Sequence, residues 1–364
     1  MKIMSPLLKK VLYPALSSAG IFHRTTGSGL AVVTYHGVLP SGYHPVDAAF
    51  DGNLVSAATL RRQLRLLKAH YTVITPADAL AWREGRGGLP PRAVLLTCDD
   101  GLLNCLTDML PVLVEEKVTC LFFVTGASAV ESRTMLWYEE LFLLLLRAPN
   151  GPLEISGDGI TIQGALHSRE ERRALWWNSV KRLSQVSAER RESFLRSTRS
   201  QLRLEELSEL NLDNNADESR RFGLLTAVEL RQLTAAGMTI GAHTLSHPML
   251  SQLPVPLAQA EISDSKARLE SVLQARVWAL AYPFGDPESV TPQVLSMAKD
   301  AGFSAAFLNF GGGLGVDLPA FALPRVHVTA EMGLAEFEAH VSGFYSRLQM
   351  RAGRKSPRLG LARS

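Results

Sequence analysis

Short apolar runs rich in β-branched residues alternate along most of the chain with longer stretches whose apolar residues recur at helical spacing. This alternation is typical of β/α units that surround a parallel sheet. Strands are predicted at residues 30–36, 71–75, 93–98, 118–124, 239–243, 277–282, 303–308 and 325–328, with helices between them. The pattern therefore predicts an α/β fold, a distorted (β/α) barrel of about seven parallel strands.

One region departs from this alternation. From about residue 132 to residue 221 the chain has Arg- and Glu-rich helical patterns and a hairpin pattern that turns through Gly157-Asp158-Gly159. We predict a leader over 1–29, a barrel domain over 30–330 that contains this helical insertion, and a C-terminal helix with a basic tail over 331–364. The pair Trp176-Trp177 can stack on a sugar ring, but aromatic residues in a helical pattern are more often core. We expect the pair to lie outside the site.

Composition places the chain among globular proteins. With 364 residues, 46% of them hydrophobic and 20% charged, it excludes disordered and fibrous classes. The cysteines Cys98, Cys105 and Cys120 are too few and too closely spaced for a disulfide framework, which indicates a reducing compartment. No stretch approaches the roughly 18 apolar residues of a membrane span. Residues 11–22 are predicted to form an amphipathic leader on the barrel or on a membrane surface rather than an export signal, and the predicted location is the cytoplasm.

The charge is unevenly distributed. The whole chain carries a net charge of +3, yet six basic residues and no acidic one lie at or after Arg347. Such a tail is either a solvated terminus or a peripheral contact with anionic lipid at a membrane. The remainder is mildly acidic, so nucleic acid is not an expected partner. The sequence does not predict an oligomeric state.

Two adjacent carboxylates, Asp99 and Asp100, follow the buried strand pattern at 93–98. In β/α barrels the carboxyl ends of the strands are where active sites collect. Neighbouring acids repel one another and are costly to bury unless a cation or a proton compensates them. A metal ion bound by one carboxylate would compensate the repulsion and leave the other carboxylate as a base. The alternative is that both residues cap the following helix.

Two histidines, His243 and His247, follow the predicted strand at 239–243 with three residues between them. Two imidazoles and a carboxylate from elsewhere form a set suited to Zn²⁺ or another divalent transition metal, with open positions for water. The sequence therefore predicts a metal site. A third segment at the end of a predicted strand, Tyr282-Pro283-Phe284-Gly285, has by itself only the composition of an ordinary turn.

Taken in order, three segments closely resemble the motif series of the polysaccharide deacetylases, the NodB-homology group of carbohydrate esterase family 4. They are Thr97-Cys98-Asp99-Asp100-Gly101, His243-Thr244-Leu245-Ser246-His247 and Tyr282-Pro283-Phe284-Gly285. The resemblance covers about residues 30–328 and implies a metal-dependent hydrolase that removes acetyl groups from N-acetylated sugars of a glycan. It implies Asp100, His243 and His247 as ligands of a divalent metal, Zn²⁺ above all, and Asp99 as the general base. It also implies that Tyr282, Pro283, Phe284 and Gly285 bind substrate.

The reaction also needs a general acid, a group that protonates the departing amine. In the commonest family pattern a late Leu-x-His strand supplies this acid. No such strand follows residue 328. The early segment Tyr35-His36-Gly37 resembles instead the opening of the circularly permuted branch that includes exported poly-N-acetylglucosamine deacetylases. In that branch the early histidine takes the acid role, so we expect His36 to be the acid, ahead of His327 and His340.

Two further positions depart from the family pattern. Many members carry an arginine that pairs with the base carboxylate where this chain has Ala281. Arg325 is the expected substitute if its guanidinium reaches the barrel mouth, and otherwise it is a surface charge. Cys98 stands where the family usually has phenylalanine, and we expect it to be a small buried hydrophobe rather than a ligand.

Three functions stay open at this point. The first is de-N-acetylation of a glycan, and the second is hydrolysis of a non-sugar amide or imide on the same scaffold, which a closed pocket favours over an open groove. The third is a barrel that only binds glycan, which Ala281 and the shifted acid permit. Because both carboxylates and both histidines are present together, the sequence favours an active enzyme.

Overall fold

The computed structural model describes residues 7–24, 29–47, 51–131, 133–204, 216–313, 315 and 318–351. Its strands are β1 (Leu30–Tyr35), β2 (Thr72–Ile74), β3 (Ala93–Cys98), β4 (Leu121–Val124), β5 (Pro152–Gly157), β6 (Ile160–Ala165), β7 (Thr239–Ala242), β8 (Ala279–Ala281), β9 (Ala305–Gly311) and β10 (Leu323–His327). All except β5 and β6 belong to one parallel sheet.

This sheet closes into a barrel. Seven strands follow one another around it in the order β1, β10, β9, β8, β7, β4 and β3, and β3 pairs back with β1 over six residues of each strand. The remaining strand, β2, pairs with the first half of β3. Every residue of β1 and β3 is buried, because the strands of a barrel are covered on both faces, and this explains their uninterrupted apolar sequence. The predicted barrel of about seven parallel strands is confirmed.

Helices cover the outside of the barrel and build the insertion. They span Tyr13–Ser18, Ile21–Arg24, Ala57–His70, Pro76–Arg83, Leu110–Glu115, Trp137–Arg147, Arg169–Leu183, Ala188–Leu202, Ala216–Phe222, Ala227–Ala235, Val255–Leu273, Pro292–Asp300, Leu334–Val341 and Phe344–Arg351, with wider π turns at Leu8–Leu12 and Cys105–Met109. Several begin at the polar caps that their sequences provide. The Thr75 hydroxyl, for example, accepts a hydrogen bond from the Asp78 amide, and the Thr75 amide donates one to the Asp78 carboxylate in return, as in a capping box.

The insertion lies between β4 and β7 and has a hydrophobic core of its own. Its helices pack with the hairpin of β5 and β6 around buried residues that include Leu144, Ile155, Val180 and Phe194. The hairpin turns through Asp158 and Gly159, both with positive φ, as a two-residue turn between twisted strands requires. The insertion therefore folds around its own core and also contacts the barrel mouth.

The two ends of the described chain pack together outside the barrel. Tyr13 and Phe22 are buried against Ala339, and the Phe22 and Phe344 rings lie 5.2 Å apart. The predicted basic tail lies mostly beyond Arg351, outside the described residues. Among the helices that the structure describes, none combines the length and the apolar character needed to cross a bilayer. The cytoplasmic location and the membrane contact stay predictions.

Candidate metal and catalytic site

The adjacent carboxylates follow β3 at the carboxyl end of the barrel. Asp99 continues the pairing with β1, because its amide donates to the Tyr35 carbonyl at 2.9 Å. Asp100 turns the chain with a φ of +74°, a left-handed conformation that costs a residue other than glycine roughly 1–3 kcal/mol. The next helical turn begins only at Cys105, and its N-cap, Asn104, makes no side-chain capping bond. The capping alternative for the two carboxylates is therefore wrong.

The predicted metal ligands come together in one buried cluster. Candidate ligand atoms of Asp100, His243 and His247 all lie within 4.8 Å of one another. The Nε2 atoms of His243 and His247 are 3.5 Å and 3.4 Å from Asp100 Oδ1. These separations are long for hydrogen bonds, but ligand atoms around tetrahedral Zn²⁺ at about 2.0–2.1 Å are themselves about 3.3–3.4 Å apart. The three side chains thus fit a divalent cation.

The surrounding backbone orients the two imidazoles. His243 donates from Nδ1 to the Ala281 carbonyl at 2.7 Å, which leaves Nε2 with its lone pair. Thr244 and His247 have φ values of +63° and +58°, and the His247 amide donates to Thr244 Oγ1 at 3.1 Å. Burial lowers the pKa of His247, which favours the neutral imidazole that binds a metal. This tight loop therefore directs one ring nitrogen of each histidine toward Asp100.

Arg325 pairs with Asp99 through both guanidinium nitrogens. Nη1 donates to Oδ1 at 2.6 Å and Nη2 to Oδ2 at 2.5 Å, while Nε donates to the Leu308 carbonyl at 2.6 Å. Burial raises the pKa of Asp99, but the charge and hydrogen bonds of Arg325 together with the neighbouring His243 and His36 outweigh burial and hold this pKa below its ordinary value. The Arg325 side chain is 0% exposed. The surface-charge alternative is excluded, and Arg325 makes the contact that an arginine at position 281 was expected to make.

Arg325→Met is expected to lower the free energy of unfolding by about 3–5 kcal/mol, because it leaves the Asp99 carboxylate buried without its partner. Urea unfolding followed by circular dichroism measures this loss. Arg86→Met is the matched control, since the pair between Arg86 and Glu84 is exposed and is worth about 0–1 kcal/mol. Equal losses in the two variants would contradict the role assigned to the buried pair.

Of the three histidines considered as general acid, only His36 lines the cavity at the barrel mouth. His327 lies beside it, with ring centroids 4.8 Å apart, because its strand β10 pairs with β1. Burial, together with the neighbouring His36, lowers the pKa of His327 to about 3, so His327 is neutral at neutral pH. His340 stacks on Tyr345 among the C-terminal helices. His36 thus stays the predicted general acid, because it is the one of these three histidines that lines the cavity.

The chain immediately after His36 is held against the loop that follows β3. Asn104 Oδ1 accepts a hydrogen bond from the Val38 amide at 3.0 Å. Gly37, between them, has a φ of +121°, and a Cβ atom there would lie 2.1 Å from Asn104 Oδ1. Only glycine allows this close approach, so Gly37 helps to fix the position of His36.

The cavity has a volume of ≈ 240 Å³ and is lined from two sides. The barrel contributes His36, Asp99, Asp100, His243 and His247, and the insertion contributes Tyr138, Glu139, Trp176, Trp177 and Arg221. The expectation that Trp176 and Trp177 lie outside the site is therefore wrong. Both rings do pack on the core of the insertion, as their helical pattern indicates, but they are only partly buried and also face the cavity. The Trp177 ring lies 5.9 Å from the ring of Phe284.

The third motif contributes one side chain to the cavity. Phe284 lines it, with its ring 5.1 Å from the ring of His247. Tyr282 is buried, and its hydroxyl donates to the Phe321 carbonyl at 3.0 Å. Tyr282, Pro283 and Gly285 are not among the residues that line the cavity. Of these four residues the turn directs only the Phe284 side chain into the cavity, and contact of the motif with substrate stays a prediction.

A buried ion cluster in the cavity wall was not predicted. Arg221 donates from Nε to Asp51 at 2.6 Å and from Nη1 to Glu139 at 2.8 Å. Burial raises the pKa of Glu139 to about 7. The available signal was a pair of acids, Glu139 and Glu140, inside the apolar run at 136–146, where charges are rare unless they are paired.

The remaining unusual position, Cys98, does not reach the cavity. It is fully buried, its Sγ atom lies 3.6 Å from that of Cys105, and burial raises the pKa of its thiol. A buried protonated thiol packs as a small hydrophobe. Cys98 therefore lies in the core, next to the site but outside it.

Comparison with known proteins gives a match in sequence. The family model described as polysaccharide deacetylase matches residues 211–306, which include both histidines and the third motif. A protein of Bacillus subtilis (strain 168), "Putative polysaccharide deacetylase YxkH", is 26% identical over 117 residues, or 32% of this chain. The match spans 41% of that relative, about two fifths of its length.

Solved structures give a match in fold. The deacetylase PplD of Streptococcus pyogenes, in complex with acetate, has a TM-score of 0.54 at 15% identity over 87% of this chain and 99% of its own. IcaB from Ammonifex degensii has a TM-score of 0.54 at 20% identity over 87% and 98%. A de-N-acetylase from Aggregatibacter actinomycetemcomitans has a TM-score of 0.52 at 15% identity over 85% and 99%.

The resemblance predicted from the three motifs is thereby confirmed. The structural matches cover 85–87% of the chain, whereas the family-model match covers residues 211–306. This chain thus has the NodB-like barrel fold, and over residues 211–306 it carries the sequence pattern of the polysaccharide deacetylase family.

Proposed function

We propose that this chain hydrolyses the N-acetyl group of an N-acetylated sugar in a glycan. The observation that carries the proposal is the convergence of Asp100, His243 and His247 within 4.8 Å, in one cavity with the carboxylate of Asp99. This arrangement provides ligands for a cation and, separately, a base for water. The family match and the deacetylases with the same fold support the choice of an acetamide as the bond that is cleaved.

The chemistry divides between the metal site and the protein side chains. A divalent ion, Zn²⁺ above all, would be held by Asp100, His243 and His247 and supplies Lewis acidity that polarises a carbonyl and acidifies water. Asp99, kept ionised by Arg325, accepts the proton of the water that attacks the acetamide carbon. His36 donates a proton to the departing nitrogen as the carbon–nitrogen bond breaks. The products are acetate and the free amine of the sugar.

Arg325 has a positioning role in this scheme. Its two hydrogen bonds fix both Asp99 oxygens, and its bond to the Leu308 carbonyl fixes the guanidinium in turn. A base held in one orientation does not have to be reoriented at the moment of reaction. The same pairing makes Asp99 a weaker base than a free carboxylate, and a divalent ion held by Asp100, His243 and His247 would compensate by acidifying the water.

His36→Gln is expected to lower kcat by about 10²-fold or more, because the departing nitrogen then lacks a positioned proton donor. Rates of acetate release by the metal-loaded variants measure this loss. His327→Gln is the matched comparison, since a histidine with a pKa of about 3 carries no proton to donate at neutral pH. A larger loss of kcat in His327→Gln than in His36→Gln would reverse the assignment.

A non-sugar amide is the second candidate substrate, because a cavity of ≈ 240 Å³ is small for a segment of a polymer. The direct comparison is acetate release by the metal-loaded protein from N-acetylglucosamine and its oligomers, set against acetanilide and small cyclic imides. The proposal predicts turnover of the sugars and little turnover of the others. Turnover of the non-sugar amides alone would establish the second candidate, and binding of sugar without any acetate would indicate a barrel that only binds glycan.

A further inference from the structure

The helical insertion is attached to the barrel mouth at widely separated places. Arg173 pairs with Asp47, in the loop after β1, at 2.8 Å. Arg191 lies 3.5 Å from Glu261, on the helix after β7. At the loop after β8, Trp177 packs on Phe284 with ring centroids 5.9 Å apart. One folded unit thus reaches the segments that follow three different strands.

Because these contacts follow strands that are neighbours in the barrel, the insertion forms a continuous wall along one side of the mouth. This wall is the part of the insertion that carries Arg173, Trp177 and Arg191. Around the barrel, β1 is followed by β3, β4, β7 and β8. The insertion contacts the loops after β1, β7 and β8, starts after β4, and approaches the loop after β3, where the Leu103 amide donates to the Gly223 carbonyl at 2.7 Å. Five adjacent strands are therefore covered on one side of the mouth. In the part of the chain that the structure describes, only the sector above β9 and β10 lacks this wall.

The space inside this wall is small. Its volume of ≈ 240 Å³ lies below the roughly 300–1,000 Å³ of pockets that hold drug-sized ligands. It accommodates about one sugar residue rather than several. An internal residue of a polymer also needs the chain to leave the site on two opposite sides, which a wall over five of seven strands obstructs.

The lining of the cavity suits a single sugar ring. Three buried polar atoms, His36 Nδ1, Glu139 Oε2 and Asn309 Oδ1, belong to cavity-lining residues and have no hydrogen-bond partner among the described residues. Buried polar atoms without partners are costly, and a ligand rich in hydroxyl groups supplies such partners. Trp177 offers an aromatic face to the apolar side of a ring. The cavity therefore provides both kinds of contact that a pyranose makes.

We propose that the insertion restricts this enzyme to the terminal residue of its glycan, or to a single sugar on a carrier. The terminal residue enters through the sector above β9 and β10, and the rest of the chain stays outside. This inference rests on the proposed function and specifies its substrate class. It predicts that one acetyl group is removed per glycan chain, whatever the chain length.

The test uses the full-length, metal-loaded protein with N-acetylglucosamine oligomers of two to six units, labelled at the reducing end. Acetate is measured at completion, and tandem mass spectrometry locates the free amine. One acetate per chain, always from the same terminal unit, is expected. Acetate that rises in proportion to length, with amines at internal units, would overturn the end restriction and leave the proposed function standing. Absence of acetate at every length would overturn both.

A variant of the wall separates its role from that of the catalytic groups. Trp177→Ala is expected to lower kcat/KM for the dimer by about threefold to tenfold, as the loss of one aromatic contact does, and to allow a second acetate from the adjacent unit. Trp82→Ala removes the same side chain from the helix Pro76–Arg83, away from the cavity, and should leave both readouts unchanged. A Trp177→Ala variant with unchanged rate and unchanged product position would overturn the role of the wall.

Discussion

Asp99→Asn is expected to retain a full complement of metal and to lose about 10²–10⁴-fold in kcat, the usual contribution of a positioned general base. The substitution keeps the shape of the side chain and removes the negative charge that accepts the proton. Metal is retained because the three candidate ligands are Asp100, His243 and His247. Loss of turnover without loss of metal would distinguish the base from its neighbouring ligand.

The measurement combines metal analysis of the purified variant with rates of acetate release. Because Arg325 loses its charged partner in Asp99→Asn, a thermal unfolding scan must show that the protein is folded at the assay temperature. Glu229→Gln is the matched control, since it removes a carboxylate from an arginine pair outside the cavity and should keep both metal and turnover. Full activity in Asp99→Asn would contradict the base assignment.

His243→Ala is expected to lose both the metal and about 10³-fold or more in turnover. The residue offers one of three ligand atoms, so its removal leaves a two-coordinate site that cannot hold the ion tightly. Lewis-acid assistance is worth several kcal/mol of transition-state stabilisation, and each 1.36 kcal/mol is about tenfold in rate. The loss of metal and the loss of activity should therefore occur together.

Metal content by mass spectrometry and acetate release, measured on the same preparations, test this result. His340→Ala is the matched control, because it removes an equivalent imidazole that stacks on Tyr345 away from the cavity. That variant should bind metal and turn over substrate as the wild type does. One equivalent of metal retained in His243→Ala would exclude this histidine as a ligand.

The barrel and the cluster of metal ligands could be predicted because their signals are local in sequence. Each strand is a buried apolar run, and Asp99, Asp100 and His243 directly follow such runs. The carboxyl ends of parallel strands meet at one face of a barrel, so residues far apart in the chain are brought together by topology alone. No knowledge of side-chain packing was needed.

The remaining parts of the site depend on long-range packing, which the sequence does not show. Arg325 lies 226 residues from Asp99, so the sequence left open whether its side chain points into the barrel. Trp176 and Trp177 follow a helical pattern that correctly indicates packing on a core. That pattern could not reveal that the insertion folds back over the barrel mouth and exposes the other side of both rings to the cavity.

Within the third motif, the sequence did not show which side chain faces the cavity. Tyr282, Pro283, Phe284 and Gly285 are consecutive in sequence, and a motif match assigns the same role to all of them. In the structure Phe284 has a φ of +60°, and this turn sends its ring toward His247 while Tyr282 stays in the core. Side-chain direction in a tight turn is set by backbone conformation, which a motif does not specify.

The most direct test of the account is acetate release by the wild-type protein before chelation, after chelation and after reconstitution with Zn²⁺. The chelated protein is expected to be inactive toward N-acetylglucosamine oligomers, and one equivalent of Zn²⁺ per chain is expected to restore the original rate. A chelated protein without bound metal that still releases acetate at the full rate would contradict it.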